Sequence, residues 1–274
     1  MTRPPTFSVI IPTLNEEKFL PNLLKSLVEQ TERDFEVIVV DGKSKDKTVT
    51  IARSYQKKLP HLKIIEASHP SLPFQRNLGA RSATGEWLIF VDADSVLLPY
   101  FMVRVGEYVE TNHPSVFTTW FKPDSIQPKD AMFTLLADLY LEAALLFKQS
   151  HPPGHLSCIK RNIFESVGGY SESHHFYEDV DMGIRLRKRG IPFSMLRETL
   201  FVWSLRRYRR EGTLKVIQQY VVSVLPVVFF GRAIKNMPGY IMGGHLYGGK
   251  KPIKKSLIKT YELKLKKLMK EIFE

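Results

Sequence analysis

Two aspartates separated by one residue, Asp92 and Asp94, come directly after the apolar run Trp87–Val91. An apolar run of this length predicts a buried strand, so the aspartates would lie at the strand's carboxyl end. Carboxylate oxygens at such a place are hard ligands that suit Mg²⁺ or Mn²⁺ bound against a diphosphate. Asp-x-Asp pairs also form turns and helix caps, so the pair alone leaves both a metal site and a turn open.

Polar segments follow two earlier apolar runs in the same way. The first run ends at Pro12 and leads into the polar residues 13–17, and the second ends at Val40 and leads into residues 41–44. Ligands of open α/β sheets bind in the crevice outside the carboxyl ends of the strands. We therefore expect these loops and the aspartate pair to surround one crevice.

The elements that would position these residues alternate between strand and helix over residues 1–95. Parallel strands need crossover connections, so this alternation indicates an α/β fold in which helices cover both faces of a mostly parallel sheet. The predicted strands are 7–12, 35–40, 62–66 and 87–91, and the predicted helices are 19–27, 48–57 and 74–83.

The part of the chain after residue 95 mixes helices and strands less regularly. We interpret it as an α+β half that begins at residue 96. Its predicted helices are 103–111, 130–148 and 178–189, and its predicted strands are 116–121 and 156–159.

Taken in order, residues 12–17, 40–48, 75–81 and 84–95 resemble the motifs of family 2 glycosyltransferases, which are inverting enzymes of the GT-A (Rossmann-like) fold. The resemblance covers roughly residues 6–210. It implies a metal-dependent transfer of a sugar from a nucleotide-diphosphate sugar, either a UDP- or a GDP-sugar, to an acceptor hydroxyl. The implied domains are a catalytic domain, 1–212, with a nucleotide-binding half, 1–95, and an acceptor half, 96–212, followed by a C-terminal helical extension, 213–274.

On the donor side, the resemblance assigns the loop after the first strand to the nucleotide. It implies that Thr13 and Glu17 lie against the base and ribose and that Asp41 bonds the base edge. It also implies that Asp92 and Asp94 hold Mn²⁺ or Mg²⁺. The implied substrate-binding residues are Pro12, Thr13, Asn15, Glu17, Asp41, Arg76, Asn77, Asp92, Ala93, Asp94, Glu178, Arg206 and Arg207.

The predicted helix 74–83 carries a further part of the resemblance. Arg76 and Asn77 resemble the pair whose side chains reach the nucleotide sugar, and Gly79 would let the helix pack closely on the sheet. We interpret Arg81 as a solvated helix charge. In the neighbouring loop we favour Asp46 as a cap of the following helix, because aspartate is preferred at that place.

Three acids, Glu178, Asp179 and Asp181, open a predicted helix in the second half. Acids at a helix start are favourable to the helix dipole, which alone would explain Asp181. For Asp179 the resemblance implies more, because it matches the general base that removes the proton of the acceptor hydroxyl. Arg206 and Arg207 match a loop that closes over the diphosphate, where guanidinium groups stabilise the leaving charge.

The sequence departs from the family in two places. Many members carry a histidine just before the arginine loop as a third metal ligand, whereas this chain has valine, tryptophan and serine at 202–204. We therefore expect fewer protein ligands to the metal; His155 or the pair at 174–175 could substitute, but a surface or acceptor-pocket role is favoured. A single acid, Asp41, stands where many members have two in a row, which leaves the base open.

The net charge of +12 is confined to the end of the chain. Residues 1–200 contain 24 basic and 24 acidic residues, whereas 201–274 contain 16 basic and 4 acidic ones. This excess, the uncharged stretch 216–231 and a basic amphipathic helix at 254–274 predict that the extension contacts a membrane surface without spanning the bilayer. A helix docked on the protein, with its lysines in solvent, is the alternative.

We predict a cytoplasmic location, peripheral to the cytoplasmic face of a membrane. The first residues lack the apolar core of a signal peptide, and the single cysteine, Cys158, fits a reducing compartment. Arg209 and Arg210 are interpreted as surface residues that bind anionic lipid.

Other functions stay open at this level. Among enzymes, the alternative to an acceptor hydroxyl on a lipid-linked or membrane glycan is a polyprenyl phosphate, which is already ionised and needs no base. The pI of about 9.6 is typical of some nucleic-acid-binding proteins. Residues 1–200 carry no net charge and few aromatic residues lie among the C-terminal lysines, so no nucleic-acid partner is expected. A non-catalytic sugar-nucleotide binder is disfavoured, because the metal pair and the base position are both filled.

Overall fold

The computed structural model describes residues 6–146, 151–174 and 176–212, together with a few single positions beyond them (215, 216, 218, 219, 233, 235, 243 and 244). The last predicted helix, 254–274, and most of the extension lie outside the described residues. Within the described part, no helix is both long and apolar enough to cross a membrane.

The first half follows the predicted alternation closely. Strand and helix bounds agree with the prediction to within a few residues, because buried apolar runs and helical periodicity are both strong there. The elements are β1 (Phe7–Thr13), α1 (Leu20–Val28), β2 (Phe35–Asp41), α2 (Thr48–Ser54), β3 (Leu62–Glu66), α3 (Leu72–Ser82) and β4 (Trp87–Val91).

The second half contains every predicted element and four more. Strand β5, helix α6, the long strand β8 and helix α8 were not predicted. The elements are β5 (Val96–Leu97), α4 (Phe101–Asn112), β6 (Val116–Pro123), α5 (Pro128–Leu146), β7 (Leu156–Lys160), α6 (Arg161–Ser166), α7 (Glu178–Lys188), β8 (Phe193–Trp203) and α8 (Arg206–Glu211).

One mixed sheet joins the two halves in the order β3-β2-β1-β4-β7-β6-β8-β5. The first four of these strands are parallel, so β1, β2 and β4 end at the same edge. Strand β7 is antiparallel to β4 and carries the sheet into the second half. The α/β fold with a mostly parallel, helix-covered sheet is confirmed, and β4 lies at its centre.

Side chains of β1 alternate between two apolar clusters, one on each face of the sheet. Val9 and Ile11 pack with residues of α1 and α4. Ile10, which points the other way, packs with residues of α3 and α7. Since both faces are covered, the central strands are mostly apolar, as buried parallel strands require. The buried Ser8 Oγ donates to Glu36 Oε1 (2.8 Å) across β1 and β2.

Helix α3 approaches β1 so closely that Gly79 has no room for a side chain. A Cβ at this position would lie 2.4 Å from Ile10 Cγ2. We expect Gly79→Ala to lower the free energy of unfolding by about 1–3 kcal/mol, the cost of overpacking a core, measured by urea denaturation.

Gly106 in α4 is the matched control, because a Cβ there would meet nothing nearer than Phe7 Cε2 at 4.0 Å. Gly106→Ala should therefore raise stability by up to about 1 kcal/mol through helix propensity. Equal shifts in the two variants would contradict this packing.

Candidate active site

The loops after β1 and β2 meet around Asp41, at the shared carboxyl edge. Asp41 is buried, and its carboxylate accepts hydrogen bonds from Thr13 Oγ1 (3.1 Å) and from Ser44 N (2.8 Å). Gln75 of α3 donates through Nε2 to Thr13 O (2.8 Å), across the same junction. The predicted residues Thr13 and Asp41 thus lie together, with their positions set by neighbouring polar groups.

Hydrogen bonds between the two loops also hold Asn15 and Glu17. Asn15 adopts a positive φ of 54°, and its Oδ1 accepts from Lys45 N (2.7 Å). Glu17 Oε2 accepts from Lys47 N (3.1 Å). Asp46 Oδ1 accepts from the backbone N of Thr48, the first residue of α2 (3.0 Å), but the N-cap residue of α2 is Lys47, one position after the predicted cap. The carboxylate of Glu17 is therefore engaged with the neighbouring loop.

Glu16, rather than Glu17, faces the aspartate pair. Glu16 is buried, and its two oxygens accept from Arg206 Nη1 (2.7 Å) and Nη2 (2.8 Å). Arg206 Nε lies 2.7 Å from Asp94 Oδ2, and its guanidinium stacks over the Phe19 ring. The structure thus places Arg206 beside Asp94, one of the two predicted metal ligands.

Arg207 lies away from this group. Its Nε donates to Glu211 Oε1 (3.1 Å), and its Nη2 donates to Gln219 Oε1 (3.0 Å). Arg209 is paired with Asp124. Because α8 turns successive side chains to different sides, only Arg206 of the basic run contacts the aspartate pair.

A second buried arginine, Arg76, joins the donor and acceptor halves. Its side chain is only 1% exposed. Nη1 donates to Glu178 Oε1 (2.6 Å), and Nη2 donates to Asp92 Oδ1 (3.2 Å) and to Gly154 O (2.6 Å). Tyr170 lies under the guanidinium, 5.1 Å from ring centre to Cζ. One cation therefore holds acids that are 86 residues apart in the sequence.

Asp179 stands beside this network at the start of α7. Its Oδ2 accepts from Gly154 N (3.0 Å), and its Oδ1 accepts from Val180 N (2.8 Å). Burial raises the pKa of Asp179 against the lowering effect of Arg76. A carboxylate that is fixed by two backbone N–H groups and has a raised pKa is suited to accept a proton near neutral pH.

The side-chain amide of Asn77 is hydrogen-bonded to the backbone of Tyr170. Its Nδ2 donates to Tyr170 O (2.8 Å), and its Oδ1 accepts from Tyr170 N (2.8 Å). A Cβ at Gly169 would lie 2.8 Å from this Oδ1. The amide thus holds the glycine turn that precedes Tyr170, next to Arg76. Arg81, in contrast, is exposed, as predicted.

The aspartate pair fits a divalent cation. Burial raises the pKa of Asp92 against the lowering effect of Arg76, and the nearby Asp94 raises it further. Burial likewise raises the pKa of Asp94 against the lowering effect of Arg206. Additional positive charge would therefore favour the ionised pair, and Mg²⁺ is commonly held by one or two carboxylates plus substrate phosphates.

Further protein ligands are not grouped around the pair. In the part of the chain that the structure describes, no three histidine, cysteine, aspartate or glutamate side chains are arranged to hold a metal ion. His155 packs among Phe121, Phe201 and Trp203, and burial lowers its pKa to about 3. Ser204 donates to Asp124 Oδ2 (3.2 Å).

Two positions of the extension touch the crevice from opposite sides. Gly244 N donates to Leu14 O (2.9 Å), and a Cβ at Gly244 would lie 2.3 Å from Glu16 Oε2. Phe176 N, shortly before Asp179, donates to Lys235 O (3.2 Å). These positions beyond residue 212 therefore lie against both the donor loop and the acceptor side.

Three residues of this arrangement received no role from the sequence. Glu16 contacts Arg206, Gly154 bonds both Arg76 and Asp179, and Gln75 joins the first two strands. Glu16 could have been found as the alternative to its neighbour Glu17, and two prolines before Gly154 signal a turn. Nothing in the sequence distinguishes Gln75.

Comparisons with known proteins identify the family and the fold. The family described as glycosyl transferase family 2 matches residues 8–168. A glycosyltransferase of Haemophilus influenzae is 30% identical over 185 residues, which cover 65% of this chain and 61% of the relative. The structure is similar to that of a Staphylococcus aureus TarS fragment in complex with UDP-GlcNAc, with 22% identity, a TM-score of 0.60 and coverage of 73% of this chain and 58% of the other.

A second solved structure is at least as similar. It is a mannosyltransferase from Pyrobaculum calidifontis in complex with GDP-Man and Mn²⁺, with 21% identity, a TM-score of 0.64 and coverage of 85% of this chain and 67% of that one. The chain thus spans less than two thirds of the Haemophilus influenzae relative and of the TarS fragment. At these identities the two structures establish the fold.

Proposed function

The chain belongs to glycosyl transferase family 2, and from this premise we propose that it is a metal-dependent, inverting glycosyltransferase. It moves a sugar from a nucleotide-diphosphate sugar to a hydroxyl of a lipid-linked or membrane glycan. The observation that carries the proposal is the bridge made by buried Arg76, which joins Asp92 on the donor side to Glu178, the neighbour of Asp179, on the acceptor side. The proposed donor-binding residues and the proposed base therefore adjoin the same arginine.

On the donor side, residues at the ends of β1, β2 and β4, together with Arg206, would bind the nucleotide-diphosphate sugar. Thr13 and Asp41 lie where the base would rest, at the ends of β1 and β2. Asp92 and Asp94 would hold Mn²⁺ or Mg²⁺, which neutralises charge on the leaving diphosphate. Arg206 supplies a fixed guanidinium beside Asp94 for the same charge.

The acceptor side is organised around Asp179. Its carboxylate accepts the proton of the acceptor hydroxyl as the oxygen attacks the anomeric carbon. Gly154 N and Val180 N hold the two carboxylate oxygens in place. The neighbouring Glu178 is held by Arg76, so the base is positioned by the same network that holds Asp92.

The donor sugar and base stay open within this proposal. The TarS structure contains UDP-GlcNAc and the archaeal mannosyltransferase contains GDP-Man, so UDP- and GDP-sugars are both candidates. We further propose peripheral contact of residues 213–274 with the cytoplasmic face of a membrane, supported by their excess of basic residues.

Thermal unfolding with nucleotides tests the donor site. We expect one nucleotide diphosphate or its sugar, with Mn²⁺, to stabilise the protein by about 2–3 kcal/mol at a hundred times its Kd. The increment that depends on Mn²⁺ should disappear in Asp94→Asn and persist in Asp34→Asn, a matched change at an exposed position. If no nucleotide gives a metal-dependent shift in the wild type, the metal-dependent donor site is wrong.

A further inference from the structure

Helix α5 carries an apolar face that is open to solvent. Five side chains at helical spacing form it, and each is between 53% and 58% exposed: Met132, Leu135, Leu136, Leu139 and Tyr140. Soluble monomers rarely expose contiguous apolar patches larger than a few hundred Å², and larger ones mark protein or membrane contacts. This surface, the α5 face, is therefore a candidate site of contact with a partner.

The acidic residues of α5 lie on another side of the helix. Glu142 accepts from Trp120 Nε1 (3.2 Å) and from Arg197 Nη2 (2.9 Å), on β6 and β8. Asp130, in the first turn of α5, accepts from Ser125 Oγ (2.5 Å) and pairs with Arg209. The carboxylates of Asp130 and Glu142 are thus engaged by other parts of the protein, so an apolar surface can cover the α5 face without burying either of them.

One end of α5 adjoins the basic part of the chain. Phe133 packs against Tyr208, with ring centres 4.5 Å apart, and against Trp203 at 6.2 Å. Val216, the next described apolar residue after α8, is buried in the same cluster. The section that begins here, residues 201–274, has 16 basic and 4 acidic residues. The first turns of the α5 face are therefore packed against the start of the part of the chain whose sequence carries the basic excess.

The other end of the α5 face lies near the proposed general base. Glu142 of α5 accepts from Trp120 of β6, and the ring of the next residue, Phe121, lies 4.9 Å from the His155 ring. Gly154, which precedes His155, donates through its N to Asp179 Oδ2 (3.0 Å). The face therefore runs from the basic section toward the acceptor side of the crevice.

We propose that the α5 face docks on the surface of an anionic lipid bilayer. An apolar helix face next to an excess of lysine and arginine matches a bilayer that offers acyl chains below anionic headgroups. A second copy of the chain is a poorer occupant, because two copies that each carry a net charge of +12 would repel each other.

This orientation has a consequence for the acceptor, which rests on the proposed function. With the α5 face at the bilayer surface, the acceptor side of the crevice lies near the headgroup region. The hydroxyl that Asp179 deprotonates would then belong to a glycan whose lipid stays in the bilayer. Docking itself does not depend on the reaction.

Flotation with phosphatidylcholine vesicles, with and without phosphatidylglycerol, tests the docking on the full chain. We expect the wild type to bind the anionic vesicles and the double variant Leu135→Gln/Leu139→Gln to bind at least about tenfold more weakly, because two exposed leucines no longer enter the bilayer. The double variant Leu135→Met/Leu139→Met, which stays apolar, should bind within about twofold of the wild type. Tyr100→Gln removes an exposed aromatic outside α5 and should change nothing.

Several outcomes would overturn the proposal. Equal binding by the Gln and Met double variants, or no binding by the wild type, excludes the α5 face as a lipid contact. A wild type that is dimeric without vesicles, with a monomeric Gln variant, assigns the face to a second copy. If amide hydrogen exchange over residues 132–140 is slow and vesicles do not change it, another segment of the same chain covers the α5 face. Nucleotide stabilisation, measured on every variant, tests the proposed function separately.

Discussion

Replacing Asp179 by asparagine is expected to lower kcat by about 10²–10⁴-fold, the usual contribution of a general base. The amide has nearly the shape of the carboxylate but cannot accept the proton of the acceptor hydroxyl. Binding of the nucleotide sugar should change little, because Arg76 contacts Glu178 and Asp92 directly. Single-turnover transfer to a glycan acceptor, together with thermal shift by the donor, measures the two effects apart.

The pH dependence of the same variant adds a second readout. A base must be ionised to act, and burial raises the pKa of Asp179. In the wild type, kcat/KM should therefore fall as the pH decreases through a pKa above the ordinary range of aspartate. The residual rate of Asp179→Asn should lack this acidic limb, since the titrating group is gone.

Asp181→Asn is the matched control on the same helix turn. Asp181 pairs with Arg185, with Oδ2 2.8 Å from Nε, and received no catalytic role, so its turnover should stay near that of the wild type. If Asp179→Asn also keeps most of its turnover, no hydroxyl proton is being removed there. That result would favour a polyprenyl phosphate acceptor, whose oxygen is already ionised.

The first half of the fold was predictable because its strands are buried on both faces. Strands such as β1 and β2 are mostly apolar, with Ser8 and Glu36 as single polar interruptions, and the helices between them repeat apolar residues at helical spacing. The long strand β8 escaped prediction because Arg197 and Glu198 interrupt its apolar residues. Its pairing with β6 also contains register shifts, which blur the two-residue alternation. Helix α6 is too short, at six residues, to show a period.

The candidate site was predictable where residues follow strands and not where a backbone turn decides the outcome. Asp92 and Asp94 follow β4, so the topology alone places them. Whether Glu16 or Glu17 points at them depends on the local chain path after Asn15, which has a positive φ. The contact between Arg76 and Glu178 spans 102 residues, and no local pattern reports such a distance.

Replacing Arg76 by methionine is expected to destabilise the folded protein by about 3–5 kcal/mol, the cost of removing one partner from a buried ion pair. Methionine fills a similar volume, so the loss is electrostatic: the buried Glu178, 9% exposed, stays without its cation, and the half-buried Asp92, 35% exposed, loses the same partner. Urea denaturation measures it. Arg81→Met, on the exposed side of the same helix, is the control and should stay within about 0.5 kcal/mol. Equal stability of the two variants would show that Arg76 does not hold the acids.

The deficit of Arg76→Met should depend on pH with a definite sign. Burial raises the pKa of Glu178 and of Asp92, and Arg76 opposes this in both, so removing Arg76 raises both pKa values further. The folded variant then binds more protons than its unfolded chain, and its stability falls as the pH rises. The gap to the wild type should be smallest near about pH 5 and largest near about pH 8. Adding Glu178→Gln to Arg76→Met removes one uncompensated charge and should recover part of the lost stability at about pH 8. A stability gap that stays constant with pH would mean that lost packing, and not the charge of the acids, causes the destabilisation.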